Sequence, residues 1–425
     1  MNRIATRPAP RARLLAAALV AAFSGSVYAE TSPWYVGARQ TFTHDSNVYR
    51  RQAAESDLIS STGLFGGLDQ QISRQRLRGN VAANINRYRD ADQLDHTDGS
   101  AGLRLDWETV GNLSGDAQVN HQRSLFRDFA LQADASRKAI VRTTDAAFNA
   151  RLGVVTALTL EAGAFGSRTR YDELLRNSNL DYDGYRAGVR WADSPAFSVG
   201  LAYRNASGEY PNTNGVGDFD REDADLLLTW APTGTSTFVG RVSRTQLDFP
   251  NIGDRSDTLT TGALQYLWRP GGRVTLDLSV DRDSSAGRAV TDGVVQVLPG
   301  LGMPGTTQSA DARVVTTTGL SAGYELTGKI KLGLDLRHAE RDLDNAVEVF
   351  NQGGQPVPGL SVQRHASDRT YSAGLNATYD ATRSLRFTCG FTRVKRTVSG
   401  PDWPVLTYPY TVNLTSCAAQ FALQP

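Results

Sequence analysis

One pattern constrains this chain more than any other: apolar and polar residues alternate with a period of two, segment after segment. From Leu77 to Ile85 the odd positions read Leu77, Gly79, Val81, Ala83 and Ile85. The even positions are Arg74, Arg76, Arg78, Asn80, Ala82, Asn84 and Asn86. Successive side chains of a strand point to opposite faces, so this spacing writes an apolar and a polar face onto one strand. The alternation returns at Leu103, Leu105 and Trp107 against Arg104, Asp106 and Glu108. It recurs at Leu226, Leu228 and Trp230, at Val274, Leu276, Leu278 and Val280, and at Ile330, Leu332, Leu334 and Leu336. No stretch of similar length carries a competing 3.6-residue period.

Eighteen such segments begin near residues 34, 57, 74, 97, 112, 138, 157, 182, 196, 221, 236, 257, 273, 312, 328, 368, 384 and 409. Their connections alternate in length. Short ones lie near Asp69, Gly111, Thr156 and Asp193, and again near Pro232, Pro270, Gly328 and Asp380. Long ones occupy 44–56, 89–96, 124–137, 170–181, 205–220, 248–256, 284–311, 341–367 and 395–408. Short turns at one end and long loops at the other mark an outer-membrane barrel. The expected fold is all-β: a transmembrane antiparallel up-and-down barrel of about 18 strands, with one hairpin more or fewer left open.

Composition fits this reading. No run of eighteen apolar residues exists, which excludes a helical membrane protein. The mean hydropathy of −0.35 follows if only half of each strand meets lipid. A formal charge of +1 argues against a nucleic-acid partner. Residues 1–29 read as a secretory signal: Arg3, Arg7, Arg11 and Arg13, an apolar stretch from Leu14 to Phe23, then Val27-Tyr28-Ala29. Its removal takes the formal charge from +1 to −3 and leaves 30–425 as a single barrel. Trp107, Trp191, Trp230 and Trp268 each end a strand before a short turn, and Trp34 begins the first. Tyr324 and Tyr379 take equivalent places, so these rings are expected to form the aromatic girdle on the periplasmic side, with the N-terminus there.

The lumen is where specificity is expected. By parity, Arg74, Arg76, Arg78, Arg104, Arg186, Arg190, Arg204, Arg241, Arg337 and Arg386 face inward. Inward acids include Asp106, Glu161, Asp223, Asp225, Asp277 and Asp335. Arg74, Arg76 and Arg78 stand about 6–7 Å apart on one face. Two readings stay open, and they are compatible: a salt-bridge ladder that stiffens the wall, or an electropositive track for an anionic or hydroxylated chain. Cys389 and Cys417 oppose each other if Leu385 pairs with Phe421, either as a disulfide in the oxidising exported compartment or as two lipid-facing thiols. The long segments 284–311 and 341–367, with Val294–Leu298 and Val347–Phe350, are expected to narrow the outer mouth.

Chemistry of the catalytic kind is not expected. His44 and His96 each adjoin an aspartate, but neighbours on a strand point to opposite faces, so neither pair is a dyad. Gly300-x-Gly302-x-x-Gly305 matches a dinucleotide fingerprint in letters only, since no strand–turn–helix surrounds it. No metal-ligand spacing stands out, and neither a cofactor nor an enzymatic activity is expected.

Asp45-Ser46-Asn47-Val48-Tyr49-Arg50, in the first long loop, resembles a segment of the exosortase-associated exopolysaccharide outer-membrane proteins, the EpsL-like family. Ser73-Arg74-Gln75-Arg76, with its strand ending at Arg87-Tyr88, is similar as well. The resemblance runs from about Trp34 to the end, and more widely to the eighteen-stranded alginate exporters. The chain departs from such barrels at its C-terminus, where Phe421 is followed by Ala422-Leu423-Gln424-Pro425. The resemblance implies a porin-like channel in the bacterial outer membrane that passes exopolysaccharide passively. It implies outer-membrane lipid, the polysaccharide and periplasmic polysaccharide-export components as partners. The residues alone leave a diffusion porin for small solutes, or an adhesion barrel acting through its outer loops, as alternatives.

Overall fold

The computed structural model of the protein describes residues 32–126, 138–153, 157–213, 215, 217–251, 255–298, 301–350, 362–401 and 408–424. Within these, side chains are described outside 174, 255, 285–313 and 343–365. The signal segment at 1–29 lies outside the described residues, as do the Pro-Gly pairs at 299–300 and 358–359.

The alternating segments are strands. β1 (Trp34–Asp45), β2 (Asp57–Ile72), β3 (Gln75–Tyr88), β4 (His96–Glu108), β5 (Leu113–Leu125) and β6 (Ile140–Leu152) come first. β7 (Leu158–Tyr171), β8 (Leu180–Ser194), β9 (Phe197–Glu209), β10 (Phe219–Thr233), β11 (Ser236–Phe249) and β12 (Arg255–Gly271) follow. β13 (Val274–Leu298), β14 (Leu301–Glu325), β15 (Ile330–Phe350), β16 (Val362–Asp380), β17 (Leu385–Ser399) and β18 (Tyr410–Leu423) complete the sheet. Each pairs with its sequence neighbours, and β18 returns to β1 from Val36↔Leu423 to Asp45↔Leu414. This closes one eighteen-stranded antiparallel barrel among the described residues. Closure gives every strand two partners, as hydrocarbon requires.

Parity separates the faces. Leu64, Val81, Leu103, Phe148 and Leu201 lie outward, and Leu64 is 66% exposed. Such exposure repeated around a barrel makes sense only against lipid, because apolar area in water costs about 25 cal/mol per Å². Trp34, Trp191, Trp230 and Trp268 are exposed on the outer face near the short turns, with Tyr324 and Tyr379. There Trp230, Phe238 and Tyr266 stack in series at 5.4 and 4.5 Å between ring centroids. Among the short turns, the β12–β13 turn needs glycine: Gly271 and Gly272 have φ of 128° and 55°.

Two departures from the sequence pattern concern strand ends. β14 begins at Leu301 and β16 at Val362, each earlier than the alternation suggests, because the long segments extend the ladder. β13 pairs with β14 out to Leu298↔Leu301, and β14 with β15 out to Thr306↔Phe350, so 284–311 is largely strand rather than irregular loop. In contrast, β12 pairs with β13 only as far as Gly262↔Arg282, although β12 reaches back to Arg255. Beyond Arg282, β13 leaves the wall, and Arg221 of β10 bonds Asp283 and the carbonyl of Ser284. Three strand spacings, about 14 Å, separate β10 from β13 along the wall. A guanidinium cannot span that along the wall, so β13 leans over the inner face of β10–β12.

Candidate functional site in the barrel lumen

The inward arginines are matched to acids on neighbouring strands. Arg76 lies 2.6 Å from Asp69, its diagonal neighbour across the β2–β3 hairpin. Arg78 bonds Asp106, and Arg104 Nε donates to the same carboxylate at 2.8 Å. Arg78 and Arg104 are directly opposed in register, so Asp106 offsets a like-charge pair. Asp116 accepts from Arg151 at 2.7 Å and Asn149 at 3.0 Å, with Arg104 at 3.7 Å. Glu161 lies 3.1 Å from Arg190 and 4.0 Å from Arg186. Arg386 pairs with Asp380 at 2.5 Å, and Arg74, at the turn, sits 4.0 Å from Glu108. The Arg74, Arg76 and Arg78 pairs are about half exposed, so each contributes at most about 1 kcal/mol, whereas Asp116 is buried. Of the two readings of Arg74, Arg76 and Arg78, the geometry builds the ladder: each has an acid within 4.0 Å.

Under the leaning β13 the ladder becomes a buried cluster. Arg204 lies 3.1 Å from Asp223 and 3.5 Å from Asp225, and Arg241 is 3.8 Å from Asp225. Arg221 donates to Asp223 at 2.8 Å through Nε. Thr245 donates to Asp223 and Ser243 to Asp225, each at 2.5 Å. Asp223 is 1% exposed and Thr245 0%. Phe219, Leu247, Phe249 and Tyr210 pack beside the cluster, with Tyr182 and Leu259 against them. Charges buried this far persist only when paired and hydrogen-bonded. Parity pointed to Arg204, Arg241, Asp223 and Asp225, but Arg221, Asp283, Ser243 and Thr245 had not been singled out. The i, i+2 spacing of Arg221, Asp223 and Asp225 was the available signal.

Arg337 stands apart. It shares the inner face with Gly319 and Ser372, its register partners, and makes no hydrogen bond or ion pair among the described residues. Among the described residues Arg39, also inward, bonds only the neutral Asn84, at 3.1 Å.

The first long loop is tied down at the long-loop end. Asp45, Asn47 and Arg50 are all buried. Asp45 accepts from Arg50 at 2.8 Å and from the Asn47 amide at 3.0 Å. Asn47 donates to the carbonyls of Arg51 and of Thr411, on the opposite end of the chain. Arg50 holds a left-handed φ of 55°, a conformation that costs a non-glycine residue about 1 kcal/mol. Val48 and Tyr49 then pack with Ile59, Tyr88, Ala91 and Leu94. Asp57, which sequence reasoning missed, accepts from the amides of Arg89, Asp90 and Ala91 and so ties this loop to the next. Burial, with Glu55 nearby, pushes the Tyr49 hydroxyl above its ordinary range. Burial also pushes the Asp95 carboxyl up, but the Tyr88 amide and the Arg87 guanidinium outweigh it and hold the group below its ordinary range.

Cys389 and Cys417 oppose each other in the β17–β18 register, and a disulfide joins them with 4.1 Å between Cα atoms. Of the five histidines, His96 contacts Asn86 and the Leu94 carbonyl. His44 lies on the outer face opposite Leu58, away from Asp45. Among the described residues no group of three histidine, cysteine or acidic side chains could hold a metal.

A closed eighteen-stranded barrel with an apolar outer face, an aromatic girdle and a charged inner wall is a transmembrane barrel of the outer-membrane, porin-like type. Solved structures with a similar fold include OpdK of Pseudomonas aeruginosa with vanillate, at 11% identity and TM-score 0.42, over 92% of this chain and 98% of that one. OccAB3 of Acinetobacter baumannii aligns at 10% identity and TM-score 0.43 over 94% and 100% of the two chains. OccK2 (OpdF) of Pseudomonas aeruginosa with glucuronate aligns at 12% identity and TM-score 0.44 over 92% and 98%. No protein-family model matches the sequence, and no curated protein does. The exopolysaccharide-family resemblance therefore stands on the quoted residues alone.

Proposed function

We propose that the protein is a diffusion channel of the bacterial outer membrane for small hydrophilic solutes, with its long-loop end outside and its N-terminus periplasmic. The observation that carries this reading is the inner wall. Its arginines are interleaved with carboxylates at ion-pair distance, which makes a polar, hydrated lining of mixed sign. A wall of that kind offers many weak, exchangeable hydrogen bonds, and conduction requires binding weak enough to release. A continuous positive track, which would hold a polyanion, is not what the paired arginines make. The leaning β13 and the buried first loop narrow the outer end, which favours small solutes over a polymer.

Passage of exopolysaccharide, pushed by periplasmic export components, is the second reading. What favours it is the resemblance at Asp45–Arg50 and the arginine content of the wall. One experiment separates the two. In liposome swelling, a solute channel passes mono- and disaccharides at rates that fall with size. Addition of an uncharged or anionic polysaccharide to a planar bilayer then leaves its single-channel current unchanged. Polymer-dependent block of the current, with slow sugar uptake, would overturn the solute reading.

A further inference from the structure

The outer wall carries a second polar feature that conduction does not use. β17 places Phe387, Cys389 and Phe391 outward, and the same face continues with Arg393 and Lys395. Neither makes a hydrogen bond or ion pair among the described residues. They border an outward groove of ≈ 490 Å³ whose floor includes Leu278, Leu320 and Leu336. His338 and Tyr371 stack in this groove at 4.7 Å, and His338 Nε2 is buried without a hydrogen-bond partner. One row higher on the same face lie Arg282, which bonds Thr316, and Arg369, which pairs with Glu340 at 2.8 Å. Four cations thus stand with two acids, Glu340 and Asp342, at the long-loop edge of the apolar band. On β8 and β10 the outward positions near that edge include the acids Asp183, Asp220 and Glu222, and β11 carries both Arg244 and Asp248.

We infer that this groove on β13–β17 binds a phosphorylated, multiply acylated saccharolipid of the outer leaflet, of the lipid A type. Acyl chains lie on the leucine floor, phosphate sits between Arg393 and Lys395, and sugar hydroxyls meet His338 and Tyr371. Three observations favour this occupant. The free cations adjoin apolar surface, where an unpaired charge needs an anion from the lipid itself. The cations run from β13 to β17, about 19 Å at the usual strand spacing, which suits a headgroup with more than one phosphate. Outward arginines near that edge on β3, β6 and β7 are matched to acids, Arg87 to Asp95, Arg142 to Asp172 and Arg170 to Asp181, whereas Arg393 and Lys395 pair with no acid among the described residues. The inference rests on the long-loop end facing outward and not on what the lumen conducts.

Native mass spectrometry of the full barrel in detergent tests it, with bis-phosphorylated lipid A, its dephosphorylated form and phosphatidylglycerol as probes. Bis-phosphorylated lipid A should bind at one site at least tenfold more tightly than either other probe. R393Q/K395Q should weaken that binding at least tenfold, while R393K, which keeps the charge, retains it. Heat-modifiable migration on gels establishes that each variant is folded, and single-channel current, measured separately, should not change. Equal binding by wild type and R393Q/K395Q would overturn the inference. So would equal affinity for phosphatidylglycerol, which would make the groove a general anionic-lipid contact.

Discussion

Removal of the Asp283 carboxylate should loosen the strand that leans over the lumen. Asp283 Oδ1 accepts from Arg221 Nη2 at 2.8 Å, and Arg221 Nη1 also reaches the Ser284 carbonyl, at 3.3 Å. A charge-assisted hydrogen bond contributes about 1.5–3 kcal/mol when dry. Asp283 is 41% exposed, so solvent screening reduces this to about 1 kcal/mol. Since about 1.4 kcal/mol is a factor of ten, D283A should raise the ratio of released to docked β13 roughly fivefold. Arg221 keeps Asp223 as a partner in that variant, so the buried cluster stays intact. R221A is harsher, because it strips a partner from Asp223, which is fully desolvated; breaking such a pair costs about 3–5 kcal/mol. In planar-bilayer recordings of D283A, a higher-conductance level should gain about fivefold in occupancy over wild type. Raising the salt should narrow that difference, because the exposed half of the pair is screened. Equal occupancy in D283A and wild type at low salt would show that the Arg221–Asp283 contact does not hold β13 over the lumen.

Arg337 is an inward cation without an ion pair or hydrogen bond among the described residues, so R337Q should shift the reversal potential in a salt gradient toward cations. The charge-neutral D69N/R76Q should leave it unchanged, because that pair contributes little net field. Mass spectrometry of alkylated, unreduced protein should find no free thiol, and reduction should expose Cys389 and Cys417. C389A/C417A should lower stability by roughly 3–4 kcal/mol, because the cross-link removes the closure entropy of its 28-residue separation from the unfolded chain. The tied loops at the outer end should loosen in acid. The Asp95 carboxyl titrates below its ordinary range when folded, so its contribution is fully present above the unfolded pKa and is lost as pH falls through the folded one. Amide exchange at 88–95 should therefore rise below about pH 4 in wild type, and D95N should show fast exchange at neutral pH as well.

Strand number, the starts of strands other than β14 and β16, and the two faces were legible because each depends on local alternation. The odd positions from Leu77 to Ile85 face lipid and Arg76 and Arg78 face the lumen for the same reason, the period of two. The tied first loop was not legible. Asp57 caps amides more than thirty residues away, and Asn47 reaches Thr411 across 364 residues. A sequence shows a polar run there, but no periodicity states that it folds back and is buried. The departure of β13 was hidden for a similar reason. The alternation of β13 ends near Val280, and only the pairing shows that the strand runs on past Arg282 while β12 stops following it.

The sign of the inner wall lies between these cases. Listing inward residues strand by strand counts arginines but says nothing of who stands opposite them. That information is the register, and in a barrel with short turns the turn supplies most of it. The two-residue turn at 73–74 sets Ile72 against Gln75, which makes Asp69 the partner of Arg78 and its diagonal neighbour Arg76. The next hairpin sets Arg76 against Asp106 and Arg78 against Arg104, so a carboxylate stands at each place where arginines crowd. The charge pattern along β3 was therefore only half of a pattern, whose other half is written on β2 and β4. A wall read one strand at a time looks positive. Read across hairpins it is a mixed lattice, and a mixed lattice selects by hydrogen-bond exchange and width more than by charge. That makes Arg337 and Arg39, which have no acid beside them among the described residues, the side chains whose removal should alter ion selectivity most.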